Sequence, residues 1–124
     1  MQYCEPAPLT DRKPDLDLTV LDALVGHDAQ KFRKFALLFL SSLDEVLQQV
    51  DSACASGDVA ILGAMGHRAK STALNIGAAK LSGMCLLLEQ TAGAQDWAQS
   101  LAVAQGLRPV VEGIRTAIGM RLSV

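Results

Sequence analysis

The sequence predicts an all-α fold, an antiparallel up-down four-helix bundle with a short additional N-terminal helix, and three observations predict it. Half of the 124 residues are hydrophobic, yet the aromatics are only three Phe, one Trp and one Tyr. The core must therefore be built from Leu, Val, Ile, Ala and Met, a mixture that favours helices over alternating strands. Apolar residues then recur three and four apart along most of the chain, and the breaks between these stretches carry Gly and Asp, where helix ends belong. A chain of this length has room for one apolar core and no second domain.

Pro6, Pro8 and Pro14, with the charged run Thr10-Asp11-Arg12-Lys13, mark residues 1–16 as a flexible leader, so that residues 17–124 form the bundle. Leu16 to Val25 reads as a short amphipathic opening helix stopped by Gly26. Asp28 then caps a long helix whose Phe32, Phe35, Ala36, Phe39, Leu43, Val46, Leu47 and Val50 form one stripe, ending near Ser56-Gly57. Asp58 caps the third helix. At about 100° per residue, its Leu62, Met65, Ala69, Ala73 and Ile76 fall in one narrow arc, which is the buried one. Gly77 ends this helix or tightens the following turn. From Ala78 to about Ala92 comes another helix, with Leu81, Met84, Cys85 and Leu88 inward. Asp96 caps a last segment in which Leu101, Ala104, Leu107, Val111, Ile114 and Ile118 keep helical phase. Pro109, with Gly106 nearby, kinks it.

The net charge of −2 and a pI near 5.6 give no electrostatic footprint for nucleic acid. No apolar run approaches the roughly 20 residues of a membrane span, and the first residues lack the basic region and apolar run expected of a signal peptide. A cytoplasmic protein whose partners are other proteins is expected. Cys4, Cys54 and Cys85 are odd in number and widely spaced, which suits neither a disulfide framework nor a zinc site. Cys85 reads as a small core residue and Trp97 as a packing residue. His27, at the turn before the long helix, reads as a surface residue, with no metal-ligand companions.

The wheel that buries Leu62 and Ala69 turns His67 to solvent, with Lys70, Ser71 and Leu74 on its side of the helix. A neutral imidazole is nucleophilic near neutral pH, so an exposed one can accept a phosphoryl group and hand it on. Lys70, one turn away, can balance the charge of that group, whereas Arg68 lies about 100° round the helix. Gly63, Ala64 and Ser71 leave room for a partner to approach, and Leu74 offers an apolar docking contact. A histidine and a lysine three residues apart are, by themselves, a common surface pair.

The wider pattern resembles the histidine phosphotransfer (HPt) family of two-component phosphorelays: His67, Lys70, Ser71, then Gly77 and Ala78, followed by Leu81, Cys85, Leu88 and Glu89. The likeness extends back through Leu21-Asp22-Ala23-Leu24, Gly26-His27-Asp28, Phe39 and Ala55-Ser56-Gly57-Asp58, covering roughly residues 17–92. Gly66 stands where the family usually has alanine, Ser71 where glycine or alanine is common, and Leu74 where a small residue is frequent. The resemblance implies a phosphocarrier in which His67 takes a phosphoryl group from a receiver-domain aspartate and passes it to another receiver aspartate. The implied partners are receiver domains of response regulators, a hybrid sensor histidine kinase, or both. The implied chain is a monomer without a cofactor of its own, Mg²⁺ being on the receiver. No phosphate-binding Gly-rich loop or kinase nucleotide motif is present, so autokinase activity is not expected. Two rival readings are a phosphate-independent helical interaction module that binds a receiver or sensor kinase, and a small-molecule-binding bundle. The second needs polar residues converging in the core, and the inward stripes are apolar.

Overall fold

The structure, a computed structural model, describes residues 15–123. Of the expected leader only Asp15 and Leu16 are described, and Leu16 is half-buried against the core; the rest lies outside the described residues. Six helices follow in order: α1 (Thr19–Leu24), α2 (Ala29–Ser56), α3 (Val59–Asn75), α4 (Ala79–Gly93), α5 (Trp97–Gln105) and α6 (Leu107–Leu122). The long elements α2, α3, α4 and the α5–α6 pair form the bundle, and α1 packs across one end of α2 and α3. No strand occurs among the described residues.

Local chemistry accounts for the helix starts. Asp28, Asp58 and Asp96 stand in extended or near-extended backbone, and each carboxylate accepts a hydrogen bond from the N–H three residues on, at Lys31, Ile61 and Gln99 (3.0, 3.1 and 3.1 Å). Each cap satisfies a donor that the first helical turn leaves without a partner. The break in the last segment falls at Gly106, so Pro109 is the third residue of α6. Its missing N–H would have had no intrahelical acceptor there, so the proline opens a helix instead of bending one.

The core is aliphatic, with Leu43, Leu62, Ile76, Leu81, Leu88, Val111 and Ile118 among its fully buried side chains and Phe32 as its largest. Two details of the α2 stripe differ from expectation. Phe35 is 36% exposed and stacks obliquely near Phe39, while Leu40 is buried in its place. The i, i+4 series Phe32–Ala36–Leu40 follows the core, and Phe35 lies on its edge. In α3, Met65 is half-buried and Gly66 is fully inside, so the buried arc keeps Leu62, Ala69, Ala73 and Ile76 and is turned only slightly, toward Gly66.

Arginines link the helices across the surface: Arg68 with Glu45 (α3 to α2, 2.7 Å), Arg108 with Asp51 (α6 to α2, 2.5 Å), and Arg115 with Asp44. Arg121 of α6 reaches Asp22 of α1 at 2.5 Å and lies over the Phe32 ring, 4.2 Å from its centroid. The arginine pair holds the Asp22 carboxyl below its ordinary pKa.

Candidate phosphoryl-accepting site

α3 and α4 form an antiparallel hairpin that pivots on Gly77. This residue adopts φ +77°, where a side chain is strained, and its carbonyl accepts from Asp17 N–H at 2.8 Å. Residues equally far from the pivot face each other, so the middle of α3 lies against the second half of α4. The helices approach closely at Gly63 and Gly66. A Cβ at Gly63 would lie 2.9 Å from Ala92 Cβ, and one at Gly66 would lie 2.7 Å from the Cys85 carbonyl oxygen.

His67 follows Gly66 and therefore emerges beside this seam, with its side chain 72% exposed. Its Nδ1 lies 2.6 Å from Glu89 Oε2. Lys70 Nζ donates to the other carboxylate oxygen, Oε1, at 2.7 Å. One carboxylate on α4 thus holds both α3 residues. Lys70 and Glu89 are half-buried, at 31% and 30% side-chain exposure.

The carboxylate lies below its ordinary pKa, first because it accepts from the Lys70 ammonium and then because it bonds His67. An ionised carboxylate only accepts, so in the neutral ring Nδ1 carries the proton and Nε2 carries the lone pair. Nε2 lies on the ring edge away from Glu89. The arrangement provides a neutral nucleophilic nitrogen, an acceptor for the positive charge the ring gains when that nitrogen reacts, and a nearby cation for an incoming anion.

The other sequence-predicted residues divide into two groups. Ala64, Ser71 and Leu74 are exposed on the His67 side, Leu74 by 57%. Gly63 is half-buried and its Cβ direction points at Ala92. Its small size is therefore required by α4, which is a different reason from the open approach surface expected of it. Arg68 is tied to Glu45 on α2. Cys85 is buried, and burial pushes its thiol up to about 11, so it offers no competing thiolate. His27 is exposed at a turn with φ +59°. Among the described residues no group of three or more His, Cys, Asp and Glu is placed to hold a metal ion, and no helix is long and apolar enough to cross a membrane.

The role of Glu89 is what sequence reasoning missed. Its residue appears in the pattern, but its partnership needs the hairpin register. Counting from Gly77 supplies that register: His67 lies ten residues before the pivot and Glu89 twelve after.

The family profile of the Hpt domain matches residues 34–118. Among solved structures, the histidine-containing phosphotransfer protein HptB of Pseudomonas aeruginosa PAO1 superposes with a TM-score of 0.82 at 23% identity, over 90% of this chain and 97% of that one. The HPT domain of a sensor hybrid histidine kinase from Shewanella gives a TM-score of 0.66 at 15% identity, over 86% of this chain and 95% of that one. No curated protein sequence matches the chain. At these identities the two structures establish the shared helical-bundle fold, while the profile spans most of the chain, both sides of the His67–Glu89 contact included. The chain belongs to the Hpt domain family, the histidine phosphotransfer modules of two-component phosphorelays, which are phosphocarriers working with receiver domains and hybrid kinases.

Proposed function

We propose that His67 is the phosphoryl-accepting residue and that its Nε2 is the reacting atom. The observation that carries this reading is the shared carboxylate: Glu89 bonds His67 Nδ1 and Lys70 Nζ at once. With the proton held on Nδ1, the Nε2 lone pair attacks the phosphorus of a receiver's aspartyl phosphate. The N–P bond forms as the P–O bond to the aspartate breaks, and the aspartate leaves as a free carboxylate. The ring gains positive charge in this step, and the Glu89 carboxylate lies against the Nδ1–H that bears it. Lys70 offsets the charge of the bound phosphoryl group. Transfer onward is the same step in reverse, with a second receiver aspartate as nucleophile.

The receiver docks over Ala64, Ser71 and Leu74, and it brings the Mg²⁺; this chain supplies no cofactor and no autokinase activity. The protein acts as a cytoplasmic monomer. Gly63 serves the helix packing beneath this surface.

A receiver domain phosphorylated with acetyl phosphate tests the reading. It loses its label to the wild-type chain, while His67→Gln keeps its helical circular dichroism and accepts none. Lys70→Ala slows transfer or shortens the life of the phosphohistidine. Label on His67→Gln refutes the assignment, and binding of the receiver without any transfer to wild type supports the phosphate-independent interaction module instead.

A further inference from the structure

Glu89 can serve His67 and Lys70 together only while α3 and α4 stay close, and Gly66 stands where the two helices meet. A Cβ there would lie 2.7 Å from the Cys85 carbonyl oxygen, 3.2 Å from Glu89 N and 3.3 Å from Leu88 Cβ. The first two are backbone atoms of α4, so no side-chain rotation relieves the contact and the two helices must part. One of them belongs to Glu89, so the movement acts on the residue whose carboxylate holds the ring. Gly83, by contrast, has nothing within 4 Å of its Cβ position.

We infer that Gly66 is a positioning residue for phosphotransfer: by lacking a Cβ it sets the α3–α4 spacing at which Glu89 fixes the His67 tautomer and holds Lys70 beside it. The inference rests on the proposed roles of His67 and Glu89. Alanine, the usual residue before the histidine in the resembling pattern, is therefore not neutral in this chain. Its methyl group pushes Glu89 outward and weakens the short Nδ1 contact, which releases the ring to exchange tautomers. Misplacement of a reacting group by about 1 Å can lower a rate by as much as about a hundredfold.

The experiment uses the full chain as wild type, Gly66→Ala, Gly83→Ala, Glu89→Ala, Glu89→Asp and the Gly66→Ala/Glu89→Ala double variant. Two quantities are read: the transfer rate from a receiver domain phosphorylated with acetyl phosphate, and the imidazole ¹⁵N chemical shifts of His67, which report its tautomer. Gly66→Ala is expected to slow transfer about tenfold or more and to move the ring from the Nδ1–H form toward a mixture, with helix content retained. Gly83→Ala matches wild type in both. Glu89→Ala slows transfer, and adding Gly66→Ala to it causes little further loss, because the two act through one contact. Glu89→Asp shortens the carboxylate arm by one methylene with Gly66 in place, so it reproduces the tautomer change and keeps the question decidable if Gly66→Ala does not fold.

A wild-type rate and tautomer in folded Gly66→Ala overturn the inference, as does a Gly66→Ala loss of the same fold in the Glu89→Ala background. If Gly66→Ala does not fold, a wild-type tautomer in Glu89→Asp does so. A wild-type rate in Glu89→Ala removes the role proposed for Glu89, and with it this inference, a result distinct from failure at Gly66 alone.

Discussion

Replacing Gly77 by alanine should destabilise the protein distinctly more than replacing Gly57, although the two glycines share one backbone conformation. Their φ values are +77° and +73°, so the strain of an L-residue in the left-handed region, about 1–2 kcal/mol, is common to both. At Gly57 a Cβ meets nothing within 4 Å, and the strain is the whole cost. At Gly77 it would stand 1.9 Å from the Asp17 carbonyl oxygen and 3.2 Å from Val20 Cβ. The segment leading into α1 must then lift away. That breaks the 2.8 Å bond from Asp17 N–H to the Gly77 carbonyl, a loss of about 0.5–1.5 kcal/mol. It also loosens α1, whose Leu21 is 1% exposed, and full exposure of such a side chain costs about 1.5–3 kcal/mol. Gly57→Ala is therefore expected to lose about 1–2 kcal/mol and Gly77→Ala about 2–5 kcal/mol once a partial share of the Leu21 term is added. Urea denaturation followed by far-ultraviolet circular dichroism measures both. Equal losses would show that the leading segment does not lean on the hairpin turn, and the reasoning would fail.

The remaining predictions concern thiols, charge and helix propensity. Cys85, with its thiol pushed up to about 11 by burial, should resist alkylation in the native protein and react once urea unfolds it; mass spectrometry of labelled peptides checks this, and native labelling at the rate of a free thiol would contradict it. Asp22 has a native pKa below its ordinary 3.8 because Arg121 bonds it. Its contribution is thus complete above that value and is lost as pH falls through the lower native one, so the stability gap between wild type and Asp22→Asn should close on acidification. A gap that persists in acid would argue against the ion pair. Gly83 and Gly113 lie inside α4 and α6 with open space around their Cβ positions. Alanine at either should raise stability by about 0.5–1 kcal/mol, measured as a higher melting temperature.

What could be read from the sequence was local in origin. A cap is made within four residues, so Asp28, Asp58 and Asp96 were identifiable by position alone, and each makes the expected bond. Helical phase likewise placed His67 outside, because it needs only the apolar neighbours on the same helix. The errors came where a second helix decides. Phe35 has the hydrophobicity of a core residue, but the space beneath α2 is taken by the Phe32–Ala36–Leu40 series. Gly63 is small for the sake of Ala92, and Gly66 for the backbone of α4. No property of either residue within α3 reveals this. Glu89 was visible as a residue of the pattern and invisible as a partner, since its two bonds cross the hairpin. Pro109 was legible as a disturbance, but its placement inside the first turn of α6 depends on where Gly106 ends α5.

The pair between Asp22 and Arg121 joins residues 99 apart in sequence, whereas His67 and Glu89 are 22 apart and Lys70 and Glu89 only 19. Closing the longer loop costs about 1.3–1.5 kcal/mol more in chain entropy than closing either shorter one. The contacts that hold the imidazole are thus among the most local tertiary contacts in the molecule, and the clasp between the first and last helices is among the least local. A folding chain can assemble the hairpin before its outer helices meet. Opening of the clasp between Arg121 and Asp22 breaks none of the bonds that Glu89 makes to His67 and Lys70. Strain at the two ends of the bundle therefore reaches the His67 ring only through packing, since every hydrogen bond that holds it and its lysine neighbour is made between α3 and α4.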